Sequence, residues 1–176
     1  MIVPFGLALA LMVVSHRAYA ERLTDLGFRF DNFVAALRLI ALPTVAFMVL
    51  VLVVGWLAGG AIAFRPLKPR LLFLPFWALF QQYALQAYIN RRAQIVLDEG
   101  WWSILLVAFI FAVLHLPNPV LTGLTFAGGA LWAAVYQRRP NLFALAISHV
   151  LASLSVSTLL PATMLNSLRV GFKYFG

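Results

Sequence analysis

The chain has 176 residues, of which 64% are hydrophobic and only 10% are charged, and its formal net charge is +8. Soluble domains carry about a quarter charged residues, so this composition excludes a water-soluble globular domain and predicts an integral membrane protein. The basic residues stand singly or in pairs between apolar runs, a pattern that reflects membrane topology and lipid headgroups rather than nucleic-acid binding. The absence of cysteine excludes disulfides and thiolate chemistry.

The apolar runs predict an all-α bundle with about five to six membrane helices. The first run, residues 1–15, is short for a span, and a polar connection at 16–32 follows it, which we expect to lie at the membrane interface. The strongest span is 33–59, and a basic, proline-punctuated loop occupies 61–70. Further helices are predicted at 71–94, 101–116, 120–137 and 141–160. We therefore expect N-terminal membrane helices with the basic loop at 1–70, a core at 71–160 and an interfacial tail at 161–176.

Polar side chains recur four residues apart within three of the predicted helices, so each helix presents a polar stripe on one face. The paired positions are Gln82 and Gln86, Phe111 and His115, and His149 and Ser153. An amide or imidazole that faces lipid leaves hydrogen bonds unmade, so such stripes face inward. The sequence therefore predicts one intramembrane polar pocket at which Gln82, His115 and His149 converge.

The order and spacing of these residues resemble the CPBP family of CAAX proteases and bacteriocin-processing enzymes, also called the Abi family. Its members carry E-E-x-x-x-R, F-x-x-x-H and H-x-x-x-N on consecutive helices. In this chain the three motifs correspond to Gln81, Gln82 and Gln86, then Phe111 and His115, then His149 and Ser153. The stretch from Asn141 to His149 is similar to the family's N-L-(W/F)-A-x-x-x-x-H segment.

The resemblance implies a polytopic helical fold and an intramembrane endopeptidase in which glutamates and histidines activate a water molecule. It also implies a divalent metal, zinc, at His115 and His149. Amides replace the acidic residues here, and no Asp or Glu occurs between Asn32 and Leu97 or after Glu99. Because an amide cannot take a proton from water, we expect impaired or altered activity. Two histidines also fall short of the three protein ligands usual at catalytic zinc.

Three functions remain open on the sequence. The first is an endopeptidase-type site with altered activity, acting on a membrane peptide. The second is a non-catalytic scaffold subunit of a larger membrane complex, for which Gly123, Gly128 and Gly129 offer close helix contacts. The third is axial ligation of haem or chlorophyll by a membrane histidine. In each case we expect the lipid bilayer as a partner, no nucleic acid, and a location in a bacterial cytoplasmic membrane.

Overall fold

The computed structural model describes residues 2–59 and 72–176, with side chains from residue 6 onward, and the regular structure of this part is helical. The main helices are α1 (Ile2–Ala18), α2 (Phe33–Leu57), α3 (Leu74–Gln82), α4 (Arg91–Leu97), α5 (Trp101–Val113), α6 (Pro119–Arg138) and α7 (Leu142–Leu159). A π-helical segment, Tyr83–Asn90, joins α3 to α4 without a break. The predicted basic loop at 61–70 lies outside the described residues. The tail contains two 3-10 turns, Asn166–Leu168 and Gly171–Tyr174.

Three of these helices, α2, α6 and α7, are long and apolar enough to cross a membrane by length and composition. The described part of α1 and the whole of α5 are shorter apolar helices. Large apolar side chains such as Leu42 and Trp56 on α2 are exposed, as expected for a surface that contacts lipid. These features confirm the predicted all-α membrane bundle.

Helix α7 is central to the packing, because α2 and α3 both lie against it, while α5 packs along α6. The main core contains the buried side chains of Ile40, Leu85, Val107, Phe111, Trp132, Tyr136, Leu142 and Leu145. The close approach of α5 and α6 depends on Gly129, whose missing side chain leaves room for the Cα of Ala108. Phe111 on α5 belongs to this core, and its ring centroid lies 6.0 Å from that of His149 on α7.

The last two long helices begin at capping asparagines next to proline. The side chain of Asn118 accepts a hydrogen bond from the N–H of Leu121, and Pro119 occupies the first turn of α6. Asn141 likewise accepts from the N–H of Ala144 at the start of α7. Both caps have extended backbone and satisfy one of the free N–H groups of the first turn. They fix where α6 and α7 start, and therefore where His149 lies along its helix.

The connection between α1 and α2, predicted as interfacial, is partly buried against the bundle. Leu26 is buried, and its carbonyl accepts a hydrogen bond from the hydroxyl of Tyr136 on α6. The carbonyl of Gly27 accepts from the N–H of Leu142, and Glu21 bonds to Arg91. Long-range hydrogen bonds therefore draw this connection onto the ends of α4, α6 and α7, and its location at the membrane interface stays a prediction.

A close contact between α2 and α7 makes Gly55→Ala a strong test of this packing. A Cβ at Gly55 would overlap the carbonyl oxygen of Leu159, so the two helices would have to move apart. Overpacking of this kind costs about 1–3 kcal/mol, and we expect Gly55→Ala to lower the free energy of unfolding by that amount. Unfolding in mild detergent, followed by tryptophan fluorescence, would measure the loss.

The matched control is Gly123→Ala on α6, because a Cβ at Gly123 meets nothing within 4 Å among the described residues. Alanine also favours a helix over glycine, so this variant should be neutral or slightly more stable. Equal effects of the two substitutions would contradict the contact between α2 and α7.

Candidate functional site

His149 lies on the buried face of α7, where it contacts both an amide and an indole. The amide nitrogen of Gln82 lies 3.4 Å from Nδ1 of His149, at the long end of hydrogen-bond distance. The ring of Trp132 stacks on the imidazole with centroids 4.4 Å apart. With the amide N–H as donor, Nδ1 accepts and the ring proton lies on Nε2. The position of a motif glutamate is therefore filled by a neutral donor to the histidine.

Helix α5 ends at Val113 rather than at the predicted residue 116, so His115 lies in the turn that follows it. Its Nδ1 is 2.8 Å from the carbonyl oxygen of Phe111. A carbonyl can only accept, so Nδ1 carries the proton and Nε2 keeps its lone pair. The ring of Phe111 contacts both imidazoles, with centroids 4.9 Å from His115 and 6.0 Å from His149. The two histidine rings therefore lie within about 11 Å of each other, and both contact the same phenylalanine.

A hydrogen-bonded chain behind His149 holds the stacked indole in place. The hydroxyl of Thr44 donates to the carbonyl of Ile40 at 2.8 Å. The hydroxyl of Ser148 then donates to Thr44 at 2.8 Å and accepts from the indole N–H of Trp132 at 3.0 Å. Each N–H and O–H proton of these three side chains is donated in a hydrogen bond. Trp132 is therefore held against the imidazole by residues of α2 and α7.

The remaining motif positions differ in their surroundings. Gln86 is fully buried within the π segment and accepts a hydrogen bond from Asn90 at 2.9 Å. Gln81 and Ser153 are only half-buried, and no side-chain hydrogen bond joins either to the histidines within the described residues. The structure thus links Gln82 to His149 by a direct contact and His149 to His115 through Phe111, and Gln86 continues the helix of Gln82.

Several site residues were missed by the sequence analysis. Trp132, Ser148 and Thr44 belong to three different helices, and no spacing within one helix connects them. Asn90 could have been found, because it continues the four-residue series of Gln82 and Gln86. The acidic residues near the core helices, Asp98 and Glu99, are exposed in the loop before α5, as expected.

The comparison with family models decides the relationship. The model described as "Type II CAAX prenyl endopeptidase Rce1-like" matches residues 42–155, which is more than half of the chain. The chain belongs to the Rce1-like family. This finding confirms the resemblance to CPBP proteins, and the matched range contains all three motif segments of the Rce1-like chain. Neither the curated proteins nor the solved structures yielded a match.

The residues of this Rce1-like chain do not fit a resident zinc ion. No group of three His, Cys, Asp or Glu side chains comes together within residues 2–59 and 72–176. Phe111 contacts the rings of both histidines, and the Nδ1 of each is already hydrogen-bonded. Catalytic zinc usually has three protein ligands, and a neutral amide oxygen is a weak substitute for a carboxylate. We therefore derive no reaction step through a metal.

Proposed function

We propose that this chain is an integral membrane protein that binds an apolar membrane peptide at the family's intramembrane site, with impaired glutamate-dependent hydrolysis. The observation that carries the proposal is the contact between Gln82 and His149. An amide at this position can orient the imidazole but cannot remove a proton from water. General acid–base help is worth about 10²–10⁴ in rate, and its usual source is missing here.

No acidic residue elsewhere in the chain supplies the missing base. All five acidic residues lie in the described part of the chain. Glu21 is bonded to His16 and two arginines at the start of the α1–α2 connection. The other four, Asp25, Asp31, Asp98 and Glu99, are exposed. None of the five forms a hydrogen bond to Gln82, His115 or His149 within the described residues.

An apolar cavity beside the polar residues supports the binding part of the proposal. It has a volume of about 330 Å³ and lies between α3 and α7. Leu79 lines the cavity three residues before Gln82, and Ala146 does so three residues before His149. Residues three apart are about one helical turn from each other, so the cavity lies about one turn from Gln82 and His149. An apolar side chain in this cavity would bring its backbone towards Gln82.

The test is a reconstituted assay with CAAX-like and signal-like membrane peptides. We expect the native chain to bind such a peptide and to show no cleavage that depends on His115 or His149. Cleavage that disappears in His115→Ala or His149→Ala would overturn the proposal, because it would show an active histidine-dependent site.

Restoring the motif acids is the complementary experiment. The double variant Gln81→Glu and Gln82→Glu places a base beside His149, and we expect histidine-dependent cleavage to rise, by up to about 10²–10⁴-fold. The control is Thr163→Glu, which adds a carboxylate at an exposed position of the tail and should leave the rate unchanged. An equal rise in the control would show that added charge, rather than its position, causes the effect.

A scaffold subunit is the alternative, and Gly123 is the observation that favours it. Gly128 and Gly129 contact Trp132 and Ala108 within the chain, so they serve internal packing. Gly123 has no neighbour within 4 Å among the described residues and is free to contact another helix. If the scaffold role holds, Gly123→Leu will dissociate a larger assembly in gentle detergent, and His115→Ala will not. A single monodisperse chain in native membranes would exclude it.

A further inference from the structure

Two fully buried side chains of the pocket each have a polar atom without a hydrogen-bond partner in the described residues. These atoms are Oε1 of Gln82, which can accept a hydrogen bond, and Nε2 of Gln86, which can donate two. A buried polar group without a partner costs about 1–3 kcal/mol. Side chains kept in this state at the centre of a candidate site point to a ligand that supplies the missing partners.

The orientation of Gln86 is fixed by a ladder of amides that starts at the backbone of Gly100. The N–H of Gly100 can only donate, so the atom of Gln137 at 3.1 Å is its oxygen. The amide nitrogen of Gln137 then donates to Oδ1 of Asn90 at 3.1 Å. Consequently Nδ2 of Asn90 is a donor.

The second half of the ladder runs from Asn90 to the pocket. Nδ2 of Asn90 donates to the carbonyl of Ala133 at 3.3 Å and to Oε1 of Gln86 at 2.9 Å. Turning the Gln86 amide over would place its nitrogen against the Asn90 nitrogen, so the free atom of Gln86 stays a donor. Asn90 and Gln137 are thus positioning residues for Gln86.

The residues that carry the free acceptor and the free donor are four apart on one continuous helix. The amide nitrogen of Gln82 is used by His149, which leaves its oxygen free. Gln82 and Gln86 are four residues apart, where α3 passes into the π segment, so they are neighbours on one face. The N–H and C=O of one residue in an extended peptide point to the same side. This N–H would pair with the free oxygen of Gln82, and this C=O with the free nitrogen of Gln86.

We propose that Gln82 and Gln86 bind the backbone of one residue in an extended, unwound segment of a membrane peptide. Oε1 of Gln82 accepts the peptide N–H, and Nε2 of Gln86 donates to the peptide C=O. A helical peptide has already used these groups internally, so the pair selects an unwound segment over a helix. The cavity lined by Leu79 and Ala146 receives a neighbouring apolar side chain. This inference rests on the proposed function, in which the pocket receives a peptide.

The experiment uses the full chain in phosphatidylcholine vesicles and a fluorescent Leu/Ala peptide of about 20 residues with a central Gly-Pro pair that loosens its helix. Replacing single peptide bonds of the probe by esters removes one N–H at a time. We expect one ester position to weaken binding about 5-fold in the native chain. The same ester should have no effect in Gln82→Met, because that variant lacks the acceptor.

The donor is tested by Gln86→Met and Asn90→Asp. Gln86→Met should weaken binding of the all-amide probe about 5-fold, since one hydrogen bond is lost. Asn90→Asp replaces the fixed donor by an acceptor, so the Gln86 amide turns its nitrogen towards Asp and its oxygen into the pocket. Asn90→Asp should therefore weaken binding of the probe about as much as Gln86→Met does. In a chain that already carries Gln86→Met, it should cause no further loss of binding. The control is Thr163→Met, at an exposed position of the tail, which should bind the probe normally.

The outcomes separate this inference from the function on which it rests. If the probe binds but every ester analogue binds equally well, the occupant of the two atoms is water, and the inference is wrong while peptide binding stands. If the probe does not bind at all, the proposed function fails as well. The ester scan needs only the native chain, so it remains decisive if Gln86→Met does not fold.

Discussion

Replacing Glu21 with glutamine is expected to lower the free energy of unfolding by about 3 kcal/mol. The carboxylate is almost fully buried, with 6% of its side chain exposed. Oε1 accepts from Nε of Arg91 at 2.6 Å, and Oε2 accepts from Arg92 and from Nδ1 of His16, both at 2.7 Å. Removing the carboxylate leaves two guanidinium groups facing each other without their shared counter-ion.

The same cluster predicts how stability depends on pH. Burial by itself raises the pKa of Glu21, but hydrogen bonds from Arg92, His16 and Arg91 outweigh it and lower the pKa to about 2. Because the folded pKa lies below the unfolded value of 4.5, the stabilisation is complete above pH 4.5 and is lost as the pH falls towards 2. About 3 kcal/mol should disappear over this window, since each pKa unit is worth about 1.4 kcal/mol.

Unfolding in mild detergent at a series of pH values would measure both effects. Glu21→Gln should be less stable at pH 7, and its curve should lose most of the decline below pH 4.5. The matched control is Glu99→Gln, the same change at an exposed glutamate, which should follow the native chain. A Glu21→Gln curve that coincides with the native one at neutral pH would show that the cluster does not hold the α1–α2 connection in place.

Asn141→Ala is expected to cost about 2–4 kcal/mol, the second large effect. The fully buried amide has three partners. Its oxygen caps α7 by accepting from the N–H of Ala144 at 3.0 Å. Its nitrogen donates to the carbonyl of Arg29 at 2.7 Å and to Oδ1 of Asn32 at 2.8 Å. Alanine loses the cap and leaves two acceptors without a donor.

Asn141→Asp separates the two contributions, because aspartate keeps a cap acceptor but has no N–H to donate. We expect it to retain about 1 kcal/mol of the cap and to lose the bonds to Arg29 and Asn32. Thermal unfolding in detergent would compare the three chains. If the Asn141→Asp chain proved as stable as the native chain, the bonds that Asn141 donates to Arg29 and Asn32 would contribute nothing to stability, and only the cap would matter.

The parts of the structure that depend on one helix could be predicted from the sequence. Proline and asparagine mark the starts of α6 and α7, and four-residue spacing places Gln82 and Gln86 on one face. His115 and His149 stood out because polar residues are rare in apolar runs. The π segment, by contrast, could not be predicted. It lies inside the predicted helix 71–94, and the spacing of the polar residues there is the same as in an ordinary α-helix.

The contacts between distant segments could not be predicted in the same way. Glu21 is 70 residues from Arg91, and a polar connection gives no sign that one of its carboxylates is buried. The pairing of Asn90 with Gln137 depends on how closely the π segment approaches α6. Such contacts follow from packing geometry, which a single sequence does not contain.

The π segment also determines the angle, around one continuous helix, between the side chains before it and those after it. Gln82, beside His149, comes just before it, and Arg91 and Arg92, beside Glu21, follow its end. Bonds from residue i to residue i+5 make a wider turn than the 3.6 residues of an α-helix, so each residue advances by a smaller angle. Deleting one residue between 87 and 90 would therefore rotate the arginines away from Glu21, while Gln82 and Gln86 kept their positions relative to His149.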